Sequence, residues 1–141
     1  MGFKKTSELI AVSFSLTETA PGIFTESEVA LQLDVLNNEI AVILAVDLDL
    51  SEPEAIAGID TAVRGAVTAT TVAAMPSLAN TNCITTAKEM IRAAGFIDSG
   101  VGFTRRADSS YTGDIDYVAL IATNNFFVQL KGINNITAKG V

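Results

Sequence analysis

The chain has no histidine, no tryptophan, one cysteine, three prolines and two tyrosines in 141 residues. Without histidine it lacks the commonest general base, the commonest zinc ligand and every Ser-His or Cys-His nucleophile pair. The single thiol, Cys83, allows neither an internal disulfide nor a thiolate metal cluster, and it reads as a buried structural cysteine. So few aromatic rings leave little surface for a sugar-binding cleft, so the carboxylates do not read as a glycosidase pair. Gly100-Val101-Gly102 has neither the third glycine nor the following helix of a dinucleotide loop. These absences predict a protein that is not an enzyme and that requires no organic cofactor.

Charge is also scarce. Charged residues make up 18% of the chain and apolar ones 49%, which excludes disorder and suggests more apolar surface than a lone monomer needs. No apolar run approaches the roughly 20 residues of a membrane span, since residues 40–46 are only strand-length. Lys4-Lys5 precedes an apolar stretch, but Glu8 interrupts its start and no small-x-small pattern follows, so the segment reads as structure rather than as a leader. The length fits one domain over residues 1–141, with an N-terminal arm at 1–7 and a C-terminal tail at 132–141.

The charge present is unevenly placed. Residues 1–63 hold eleven carboxylates and only Lys4 and Lys5, a net of −9; residues 64–141 hold seven basic residues against five acids, a net of +2. If the halves form different surfaces, head-to-tail contact between copies of the chain is favoured, because opposite patches steer and orient encounter. If the halves interleave, the charges cancel internally. Affinity for phosphates needs a basic stripe, which is absent here, so strong nucleic-acid binding is not expected in either case.

Period-two alternation dominates the chain. It predicts strands over 8–16, 24–36, 39–50, 60–73, 96–106, 115–123 and 126–131, with turns at Pro21-Gly22, Asn37-Asn38 and Asn124-Asn125. Residues 75–84, with Pro76, Asn80 and Asn82, read as a loop. Thr86 with Glu89 resembles a capping box, and Ala87, Met90, Ile91 and Ala94 would share one face of a short helix closed by Gly95. Ser51-Glu52-Pro53-Glu54 could open a further turn of helix. The expected fold is mainly β: an antiparallel β-sandwich or jelly-roll-like barrel of about seven strands with one short helix. Asn135-Ile136-Thr137 is formally a glycosylation triplet.

Two tight hairpins would set the registers. A turn at Asn37-Asn38 places Val35 opposite Ile40, Leu33 opposite Val42, Leu31 opposite Leu44 and Val29 opposite Val46. On the other face Glu28 then meets Asp47, and Glu26 meets Asp49, so four carboxylates crowd one end. Such a group could hold a calcium ion through hard oxygen ligands, although its spacing is not that of an EF-hand. A basic segment of a neighbouring copy, Lys4-Lys5 or Arg105-Arg106, would neutralise it equally well. Ala41, Ile43 and Ala45 would form a flat apolar strip beside it, covered by the chain itself or by another subunit. A turn at Asn124-Asn125 likewise places Ile121 opposite Val128 and Ala119 opposite Leu130.

With its strand-dense segments FTESEVALQLDVLNNEIAVILAVDLDL and DIDYVALIATNNFFVQLKG, the chain resembles the small β-rich coat proteins of virus shells. The resemblance is diffuse and carries no diagnostic motif. It implies a virion structural protein that assembles with copies of itself and with other virion proteins. The minimal Lys4-Lys5 arm departs from the basic arms of many such proteins. The alternatives are a calcium-dependent extracellular or tail-fibre binding module, and a filament or surface-layer subunit at the cell surface.

Overall fold

The computed structural model describes residues 11–31, 33, 39–56, 58–92, 103–109 and 119–141, with 92 and 103–109 described by their backbone alone. Among these residues the fold is mainly β and contains no helix. In chain order the strands are β1 (Thr25–Ala30), β2 (Ala41–Ile43), β3 (Thr61–Thr68), β4 (Cys83–Arg92), β5 (Phe103–Ser109), β6 (Ala119–Ile121) and β7 (Asn125–Ile133). They form a five-stranded sheet in the order β1-β7-β3-β4-β5 and a two-stranded sheet, β2-β6, with every pairing antiparallel.

The expected hairpins exchange partners. β1 does not pair with the segment that follows it; it pairs with β7, placing Glu26 opposite Gln129 and Glu28 opposite Phe127. β2 pairs with β6, placing Ala41 opposite Ile121 and Val42 opposite Leu120. The Asn37-Asn38 turn itself lies outside the described residues. A chain of uniformly alternating segments satisfies its ladders equally well with near or distant partners, and closing a longer loop adds only about 0.6 kcal/mol per doubling of length. The exchange sends successive strands to different sheets, so that both can present an apolar face to one cluster.

That cluster comprises Val63 and Val67 of β3, Ala87 of β4, Phe126, Val128 and Leu130 of β7, Ile121 of β6, and Leu48 and Leu50, with Phe14, Leu16, Ala41 and Ile43 packed against it. Phe14 meets Phe126 edge to face with centroids 5.9 Å apart, a favoured aromatic geometry. Gly65, at the middle of β3, makes room for the covering segment: a Cβ there would lie 2.7 Å from Leu50 Cδ2. Alternation of residues 13–16 is as expected, with Phe14 and Leu16 inward, but 11–16 form no ladder strand. Leu16 instead exchanges two backbone hydrogen bonds with Val141, at 2.8 and 3.2 Å.

The expected helix over 86–94 is strand β4 as far as Arg92. Thr85, Ala87 and Glu89 are buried while Thr86, Lys88 and Met90 alternate with them, a period of two. Ladders with β3 on one side and β5 on the other, together with β-branched Ile84, Thr85, Thr86 and Ile91, override the local capping signal. No helix opens at Ser51 either; the Ser51 amide donates to the Gly140 carbonyl at 2.9 Å, and the Gly140 amide donates to the Ser51 hydroxyl oxygen at 3.1 Å. Two of the expected turns are as read, while Asn124-Asn125 closes no hairpin: Asn125 opens β7 opposite Ala30, and Ile121 faces Ala41 instead of Val128. Ile23 N bonds Ala20 O across a turn in which Gly22 has φ of +77°. In the loop before β4, Asn82 N bonds Asn80 Oδ1 at 2.9 Å.

Candidate functional site

The four carboxylates expected to crowd together do not. With β1 on β7 and β2 on β6, the register that would stack them is not formed, and no group of three or more potential metal ligands exists among the described residues. Glu26 is half-buried and fully engaged: its carboxylate accepts from the Thr71 hydroxyl, from Val72 N at 2.9 Å and from Gln129 Nε2 at 2.9 Å. Burial pushes its carboxyl up, but these three donors outweigh that and hold it below the usual carboxylate range. Glu28 accepts from Asn125 Nδ2 at 2.6 Å. Asp47 and Asp49 are exposed.

Two more acids have a purpose that sequence reasoning missed. Glu18, only 4% exposed, accepts from Gly132 N and Lys139 N, both at 2.9 Å. Glu54 accepts from Ile136 N at 3.1 Å, from Thr137 N at 2.7 Å and from the Thr137 hydroxyl, with Lys139 Nζ at 3.4 Å. The Thr137 hydroxyl and amide, with help from Ile136 N and Lys139, outweigh desolvation and bring the Glu54 carboxyl down to about 2. Asn135 completes the clamp, accepting from Glu54 N at 3.0 Å and donating to Ala62 O at 2.9 Å. These carboxylates fasten the C-terminal tail to the body. Asn135 of the glycosylation triplet is thereby engaged on both sides of its amide.

Two groups of charges lie on opposed surfaces. On β3, Arg64 pairs with Lys131 of β7 on one side and with Lys88 of β4 on the other, so three cations stand side by side across three adjacent strands. Adjacent strands lie about 4.8 Å apart, so the row spans roughly 10 Å. All three are half-buried, and none has a hydrogen bond or ion pair among the described residues. Like charges directly opposite one another are unfavourable. Half-buried Met90 and the more exposed Ile133 occupy the next row of the same face, flanking Ala62.

Alternation fixes which way this row points. Leu50 packs over Gly65, and Arg64, the residue before it, projects from the other face of the sheet. The segment holding Leu48 and Leu50 therefore lies on the far side from the cations. Its alternate residues, Asp47 and Asp49, are exposed, as is the nearby Glu52. On the β2-β6 ribbon Val42 and Leu120 form a cross-strand pair that is 41% and 37% exposed, with Leu44 also 37% exposed. The cation row and the exposed Asp47 and Asp49 thus lie on opposite sides of the sheet, while the hydrogen-bonded Glu26 and Glu28 of β1 share the face of the row.

Other expected interface residues are placed differently. Ala41 and Ile43 pack into the chain's own core because β6 brings Ile121 against them, while Ala45 is exposed. The arm residues Lys4 and Lys5 lie outside the described residues. Arg105 and Arg106 fall on β5 opposite Met90 and Glu89. Cys83, half-buried at the head of β4, is a free thiol that burial pushes up, opposed by its contact with the Thr85 carbonyl. Comparison with protein-family models, with curated proteins and with solved structures finds no match for the chain.

Proposed function

We propose that the protein is a structural subunit that assembles with copies of itself into a homo-oligomeric shell, as virion coat proteins do, its two sheets forming the layers of a β-sandwich. One observation carries this reading: unpartnered charges of opposite sign occupy opposite sides of one small β-domain. A surface with positive charge on one side and negative on the other cannot satisfy both in a two-fold dimer made of one patch; it satisfies them by head-to-tail contact, which repeats. The uncompensated cation row costs the isolated chain stability that contact with an acidic neighbour returns. The tail clamp fits the same reading, since it holds the terminus against the body and keeps both surfaces clear.

Analytical ultracentrifugation combined with negative-stain microscopy tests the proposal. At low salt the chain is expected to form closed particles of uniform size. High salt should loosen them, because the contacts are charged and partly exposed. A monomer at all concentrations and ionic strengths would overturn the reading, and open fibres would move it to the filament class.

A further inference from the structure

Resting on that reading of self-assembly, we infer which surfaces mate: the cationic row Lys131-Arg64-Lys88 of one copy docks on the exposed Asp47 and Asp49 of the next copy, with the exposed Val42, Leu44 and Leu120 supplying apolar contact. The argument is one of matched layout. On the face of the five-stranded sheet away from Leu50, where Ala62, Ala66, Thr68 and Gln129 are buried, a row of half-buried cations runs beside the half-buried Met90 and the 37%-exposed Ile133. On the side of the sheet away from that row, Asp47 and Asp49 are exposed carboxylates, and the β2-β6 ribbon exposes the apolar pair Val42 and Leu120. Each surface therefore has an apolar part and a charged part, with the signs reversed. Apolar contact excludes water, and in the drier environment the charge pairs strengthen and select the partner.

The occupant is a second copy rather than a polyanion for two reasons. The whole chain carries a net charge of −7, which opposes the approach of an extended anion. The complementary exposed acids are present on the same molecule, so each copy offers both halves of the contact. Because the halves face away from each other, the contact is heterologous, and its angle decides whether it closes.

A charge-exchange experiment tests the pairing. One variant carries Arg64→Glu and Lys88→Glu; a second carries Asp47→Lys and Asp49→Lys; both are checked for folding by circular dichroism. Each alone should self-associate about a hundredfold more weakly than the unaltered chain. Mixed in equal amounts they should co-assemble, because each retains one native surface and the two reversed surfaces match each other. Val42→Thr, at an exposed position, gives a further variant whose fold is preserved and whose association should weaken by about tenfold. If both charge variants assemble as the unaltered chain does, the mapped surfaces are wrong while self-assembly stands. If the unaltered chain stays monomeric and binds heparin through Arg64 and Lys88, both readings fall and the row is a polyanion site. Loss of association without recovery on mixing also overturns the pairing.

Discussion

The two faces of the five-stranded sheet come from the same strands and differ in nearly every physical respect. One presents Val63, Val67, Val128 and Leu130, each no more than 1% exposed, to a layer built from Leu48, Leu50 and Ile121. The other, one residue out of phase, presents Lys131, Arg64 and Lys88 abreast. The first face is stabilised by removing apolar area from water at about 25 cal/mol per Å². The second adds repulsion, under about 1 kcal/mol per neighbouring pair in a watery environment. The lesson is that alternation alone separates the apolar cluster from the cation row, although Ala62, Ala66, Thr68 and Gln129 on the second face are buried as well.

This contrast can be broken from either side. The largest effect should come from Leu130→Ala at the centre of the core face, with a loss of about 2–5 kcal/mol in urea unfolding; a loss below 1 kcal/mol would mean that this face is not the core. Next is Glu18→Ala at the Gly132 end of β7, which leaves two backbone amides without their acceptor at about 1–3 kcal/mol each. Gly65→Val should cost about 1–3 kcal/mol by driving Leu50 off its seat, and the denaturation midpoint reports it. On the other face the sign reverses: Arg64→Gln removes the middle cation and should stabilise the dilute monomer by about 0.2–1 kcal/mol, less at high salt.

The smallest effect is local and set by pH. Glu54 has a folded value of about 2 against an ordinary 4.5, so its contribution to holding the tail is complete above pH 4.5 and is lost as pH falls toward 2. Hydrogen exchange at the Ile136 and Thr137 amides should accelerate across that window while the β3 amides remain protected. Equal acceleration in both places would show that the tail and the sheet open together.

Parts of this were legible beforehand for reasons that are local. The inward phase of Phe14 and Leu16, the turn before β1, the loop around Asn80 and the strand at β3 each depend on neighbours a few residues apart. The helix expected at 86–94 was misread because Thr86 and Glu89 satisfy a capping rule that acts only when no ladder competes, and here β3 and β5 both compete. The expected carboxylate cluster failed because it rested on a single assumption, that β1 turns back on the next segment. The phase of 41–50 also slips: Leu44 and Ala45 are both exposed, so Ile43 and Val46 face inward on either side of the slip. The cation row could not be seen, because Arg64, Lys88 and Lys131 are far apart in the chain and meet only through two registers.

By itself the sequence determined the class of the fold, the segments that alternate and the unequal placement of charge, since each follows from the periodicity and composition of adjacent residues. Tertiary structure alone decided which strand pairs with which, that Glu18, Glu26 and Glu54 turn to the chain's own amides and hydroxyls, and that three distant cations stand abreast. Those outcomes depend on the burial of both sheets against one cluster, a free energy shared by the whole chain and belonging to no single segment.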